Sequence, residues 1–193
     1  MSALNDKIIE INTLYAKAMS LLASNRQKLL ALQPRLKTQE QKARFQKLVG
    51  AQKEHENIFR SKIQPTMQKL RKAVAVTQQV VAKVKKAGAA VKQKFTQTVQ
   101  SVWDRIRGKK SGLKGLRDVQ GIDDLGVAPL VAAGLIAAGL FTALGYLVSL
   151  AQSQAESIDA LNQYIEEQAQ VQASAEEETY EDEYTETGTE EEF

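Results

Sequence analysis

One side chain is suited to moving protons near neutral pH: His55, in the run Lys53-Glu54-His55-Glu56. Imidazole catalysis and metal ligation both need further groups at set positions, and there is no second His in the chain. The sequence therefore reads His55 as a surface helix residue. Asp123-Asp124 reads as a pair of helix-start acids favoured by the helix dipole rather than as a cation site. The Glu-rich C-terminus lacks the spaced oxygen ligands and the turn glycine of a calcium loop. With no Cys, thiol catalysis, disulfides and Cys-based metal sites are excluded. Neither a Gly-rich phosphate loop nor a serine-nucleophile motif is present. The reading is of a non-enzyme with no metal and no cofactor.

The chemistry left to the chain is electrostatic. All 26 Lys and Arg lie between Lys7 and Arg117. Residues 1–126 hold these 26 against nine acids, a net of +17, whereas residues 127–193 hold 14 acids and no base, a net of −14. The overall charge of +3 conceals that division. Lys83, Lys85, Lys86, Lys92 and Lys94, followed by Arg105, Arg107, Lys109, Lys110, Lys114 and Arg117, are the candidate contacts for a polyanion. Phosphate backbones attract such a field without reading bases, and anionic lipid headgroups attract it at about 1 kcal/mol per residue near the surface. Phe45, Phe59, Phe95 and Trp103 are scattered and fall on apolar positions, so they read as core rather than as a base-stacking platform.

No charge occurs over the 31 residues from Leu125 to Ala155. Within them, residues 127–151 contain seven Ala, six Leu and three Gly, and about 20 apolar residues suffice for a membrane helix. Pro129 falls in the first turn, where proline is tolerated. Gly134, Ala138, Thr142, Gly145 and Ser149 recur at helical spacing and form a small-residue face of the kind that lets membrane helices approach. Leu135, Leu140, Leu144 and Leu147 would then face lipid. Basic residues flank only the N-terminal side, so the positive-inside rule predicts a single pass, N-terminus inside and acidic C-terminus outside. No signal peptide opens the chain: Asp6, Lys7, Glu10 and Lys17 interrupt its start.

These groups must be carried by helices. Leu4, Ile8, Ile11, Tyr15, Ala18, Leu22, Asn25, Leu29, Leu32 and Leu36 follow alternating spacings of four and three, a heptad seam with one polar member. A second seam runs Ile63, Met67, Leu70, Val74, Thr77, Val81, Val84 and on to Val102. The stretch between is less regular, with Phe45, Leu48, Ile58 and Phe59 as its apolar points. Prolines predict breaks near Pro34 and Pro65. The expected organisation is a basic helical arm over 1–107, as coiled coil or hairpin, and a Gly-rich joint over 108–126. The transmembrane helix over 127–151 comes next. An amphipathic extension follows over 152–172, then a disordered acidic tail over 173–193. The fold class is all-α, and the seams and the small-residue face point to a homo-oligomer.

A basic helical segment followed by an Ala/Gly-rich membrane segment, over residues 60–155, resembles phage virion membrane proteins and DNA-ejection (pilot) proteins. The resemblance implies a virion membrane and contact with packaged genome or inner capsid. From the residues themselves the expectation is a structural protein joining a membrane, through its anionic headgroups, to nucleic acid or to an inner assembly. A cellular membrane-anchored coiled-coil adaptor or secretion translocator fits the same features. So does a soluble helical bundle whose Ala/Gly-rich helix is its core.

Overall fold

The first seam becomes the inner side of α1 (Ser2–Leu32). Leu4, Ile11, Ala18, Leu22, Leu29 and Leu32 are buried, and Ile8 and Tyr15 are half-buried between them. The computed structural model describes residues 2–86 and 128–185, together with residues 88, 89, 93, 94, 96, 97 and 100. All its elements are helical, with no strand among the described residues.

α1 stops where Pro34 enters a 3-10 turn, Gln33–Arg35, and Leu36 turns extended. Thr38 then starts α2 (Gln39–Ile58) with a capping box. Its hydroxyl accepts from the Gln41 N–H at 3.1 Å, and Gln41 Oε1 accepts from the Thr38 N–H at 3.2 Å. Two of the N–H groups that a helix start leaves open are satisfied reciprocally.

Pro65 does not break the chain, contrary to the expectation. α2 continues through a π-helical turn, Phe59–Ile63, into α3 (Gln64–Lys86). Proline in a helix collides with the carbonyl four residues earlier, here Ser61, which lies inside the widened turn. The turn also takes up one residue of register. Buried or half-buried positions run 41, 45, 48, 52, 55, 59 before it and 63, 67, 70, 74, 77 after it, two series out of step by one residue. A π turn inserts that residue and keeps both on one side.

The expected membrane helix and its extension form one element, α4 (Ala128–Thr185). Its buried positions include Leu130, Ala133, Ala137, Leu140, Leu144, Leu147, Ala151, Gln154, Ile158, Leu161 and Ile165, a series spaced by three and four, with Val131, Gly134 and Val148 buried beside it. Helix also replaces the expected disorder from residue 173 to Thr185. Residues 186–193, like the joint at 108–126, lie outside the described residues.

The three rods form an up-down-up bundle. Asn25 meets Ala151, Lys28 meets Asp159 and Arg35 meets Glu166, so α1 and α4 run parallel. Gln41 meets Gln168 while Leu48 meets Gln154, so α2–α3 runs the opposite way. One apolar cluster joins α1, α3 and the N-terminal half of α4. A second, smaller one joins Leu29, Leu32 and Phe45 to Ile158, Leu161 and Ile165.

Candidate functional site: a helix with an uncharged half in a charged bundle

Between the two apolar clusters lies a layer of amides. Asn25 Nδ2 donates to the Ala151 carbonyl at 2.9 Å, Gln154 Nε2 donates to the Leu48 carbonyl at 2.7 Å, and Gln52 Nε2 donates to the Leu22 carbonyl at 2.9 Å. Each rod thus gives one amide to the next, and the three bonds close a ring around the bundle. Asn25 is fully buried, Gln52 and Gln154 nearly so. The ring leaves Asn25 Oδ1 and Gln52 Oε1 buried without a donor. Asn25 stood out in the sequence as the polar member of a seam. Gln52 and Gln154 did not, although each occupies a three-four position of its own helix.

His55 lies one turn from Gln52 and is buried, which corrects the surface reading: it is 8% exposed. Its Nδ1 has no partner. Burial lowers its pKa, and the nearby Glu54 carboxylate opposes that only in part. No group of three or more His, Cys, Asp or Glu able to hold a metal ion exists among the described residues.

Beyond the layer, the basic arm and the acidic half of α4 meet. Lys28 pairs with Asp159 at 2.7 Å and Arg35 with Glu166 at 3.5 Å, all four side chains exposed. Tyr164 donates to Glu40 at 3.0 Å while the Arg44 guanidinium covers its ring at 4.3 Å. The Tyr164 hydrogen bond, aided by Arg44, lowers the Glu40 pKa, and the same bond raises that of Tyr164. Exposed pairs contribute only about 0–1 kcal/mol each. They orient the bundle, while burial of side chains such as Leu140 and Ile158, at about 1.5–3 kcal/mol apiece, holds it.

The uncharged half of α4 is turned opposite to the lipid-facing expectation. Leu140, Leu144 and Leu147 are at most 1% exposed, packed on α1 and α3, and Leu135 is half-buried. Of the small-residue face, Gly134 is buried and Ala138 half-buried, but Thr142, Gly145 and Ser149 lie on the outside with Tyr146. A Cβ added at Gly145 would meet nothing within 4 Å. The reversal has a physical reason. Leu140, Leu144 and Leu147 bury more apolar area against α1 and α3 than Thr142, Gly145 and Ser149 would on the same side. α4 remains the one helix among the described residues long and apolar enough to cross a membrane, with under half of its most apolar stretch buried.

Of the polyanion contacts, Lys83, Lys85 and Lys86 are exposed in the last turn of α3, and Lys94 is exposed beyond it. Lys92, Arg105, Arg107, Lys109, Lys110, Lys114 and Arg117 lie outside the described residues. The exposed side of α2–α3 adds Arg60, Lys62, Lys69, Arg71 and Lys72, which the sequence reading had not singled out. There is no Asp or Glu between Asn57 and Trp103, and that gap is the signal that marks them. Comparison of the chain with protein-family models, with characterised proteins and with solved structures gives no match.

Proposed function

We propose that this is a non-enzymatic structural protein of a membrane, whose uncharged α4 half enters the bilayer. The basic surface of α3, with the basic residues that follow in sequence, joins that membrane to a polyanion such as nucleic acid or to an inner assembly. The observation that carries this reading is the uncharged outer side of α4, Thr142, Ala143, Gly145, Tyr146 and Ser149, set against helices whose own outer sides are charged. Lipid tails are as apolar as Leu, so Leu140, Leu144 and Leu147 exchange bundle core for bilayer at little cost. Insertion with the N-terminus inside separates α4 from α1, because Lys28–Asp159 and Arg35–Glu166 cannot persist across a bilayer. The closed bundle is then the form that carries α4 before insertion. By the resemblance noted in the sequence, the setting is a virion membrane with the basic arm toward the genome.

A second reading, a soluble bundle with α4 as its core helix, is favoured by the unbroken three-four burial from Leu130 to Ile165. Carbonate extraction of membranes from expressing cells separates the two. The membrane reading expects the protein in the pellet, and expects Leu140→Arg to impair insertion by about 2.5–3.5 kcal/mol. Release of the unsubstituted chain into the supernatant supports the soluble bundle.

A further inference from the structure

We propose that His55 is an acid-sensitive latch of the closed bundle: taking up a proton there parts α2 from α1 and α4 beside the amide layer. The opening belongs to the closed form, and only its use, freeing the uncharged half of α4, rests on the membrane reading. His55 is the one histidine of the chain, and hence the one side chain whose ordinary pKa falls between pH 5 and 8. It sits where three rods meet. Gln52 bonds Leu22 of α1, Leu48 accepts from Gln154 of α4, and α2 runs antiparallel to both. Three residues past Gln52, His55 is therefore about level with Ala18 of α1 and Leu147 of α4, both fully buried.

Little at this level stands ready for an imidazolium, which needs an acceptor at each ring nitrogen. His55 Nδ1 has no partner. Gln52 Oε1, one turn away, also lacks a donor, but its amide is fixed by Nε2 bonds to the Leu22 carbonyl and the Glu56 carboxylate, both 2.9 Å. Glu56 is further held by Arg26 of α1 at 3.9 Å. Lys53 and Glu54 on α2, Lys17 on α1, and Arg60 and Lys62 in the π turn are exposed. Tyr15 of α1 packs on Phe59. α4 has no charged side chain before Glu156, and its Tyr146 lies on the outside. Burial lowers the His55 pKa, and Glu54 opposes that only in part. The opened form therefore binds the proton more readily, and opening is favoured as the pH falls below about 6.5. The chain beside His55 is shaped to bend. The Phe59 N–H is shared between the carbonyls of His55 and Glu56, at the entry to the π turn, and helices kink at such turns.

The test uses the full chain free of lipid, so its result does not depend on entry into a bilayer. The cysteine-free chain takes one thiol at a time, at Ala18→Cys or Ala151→Cys, fully buried positions of α1 and α4, or at Ser24→Cys, which is exposed. Each is labelled with a maleimide at pH 7.5 and pH 5.5. Dividing the rate at a buried position by that at Ser24→Cys removes the titration of the thiol itself. The ratio should rise several-fold at pH 5.5, within the limit of about tenfold per pH unit that uptake of one proton sets. In His55→Gln and His55→Leu backgrounds it should stay level, and either background serves if the other fails to fold. A ratio that does not change with pH while His55 is present overturns the proposal. So does a rise that survives replacement of His55, which would assign the opening to carboxylates such as Asp159 and Glu166.

Discussion

Asn25, Gln52 and Gln154 hold the three rods in register more than they hold them together. Each donates one N–H to a neighbouring carbonyl, yet a buried oxygen left without a donor costs about 1–3 kcal/mol, and two such oxygens are present. Asn25→Leu should therefore shift stability by less than about 1 kcal/mol in chemical denaturation followed by circular dichroism. Asn25→Asp, which places an unpaired carboxylate at a fully buried site, should cost about 3–5 kcal/mol. His55 gives a pH signature. Its folded pKa lies below the ordinary value because of burial, so the unfolded chain binds more protons just below the unfolded pKa of about 6.5. Stability is then full above about pH 6.5 and falls as the pH drops through that value toward the folded pKa. His55→Gln should flatten this slope, read as the denaturation midpoint at pH 7.5 against pH 5.5. The position of Asn25 was legible because an amide inside an apolar seam is conspicuous. His55 and Gln52 were not, because a stretch whose inward positions are polar looks like an irregular helix.

Helix by helix, the apolar spacing forecast α1 and the start of α3 well, since burial of the largest side chains dominates both. Pro34 ended α1 as its missing N–H requires. Pro65 did not end anything, because the register slip at Phe59–Ile63 had already opened a wide turn beneath it, a coincidence that proline alone does not reveal. The N-terminal half of α4 was legible as an uncharged helix but not in its facing. Alternation of Leu with Ala and Gly suits a bilayer or a core equally, and only the three-four series through Gln154 to Ile165 betrays packing on α1. Two substitutions measure that facing. In the closed bundle Leu144→Ala should cost about 2–5 kcal/mol, because Leu144 is fully buried and the cavity cannot refill. Tyr146→Ala, at 65% exposure, should change stability by no more than about 0.5 kcal/mol. Equal small effects would mean that α4 does not lie against α1 and α3 as described. Thr38→Ala removes the capping box and should cost about 1 kcal/mol, detectable in the same unfolding experiment.

For the molecule as a whole, the division of charge between the two halves of the sequence becomes a bundle with a basic side on α2–α3 and acids of α4 paired with α1 and the turn that follows it. Composition made the division plain. It did not show that residues 152–168 fold back beside the arm, because that depends on the direction of α4 relative to α1, set by packing across more than 100 residues of chain. A bundle that buries Leu140, Leu144 and Leu147 while exposing Tyr146 supplies a direct probe of the membrane reading. The cysteine-free chain accepts one environment-sensitive fluorophore at Tyr146→Cys, with a control at Asn57→Cys on the exposed side of α2. Both are mixed with vesicles of anionic phospholipid carrying a quencher in their acyl chains. Entry of α4 into the bilayer predicts a blue shift and quenching at position 146 with neither at position 57. Emission at 146 that stays that of a water-exposed probe, unquenched at saturating lipid, would contradict it.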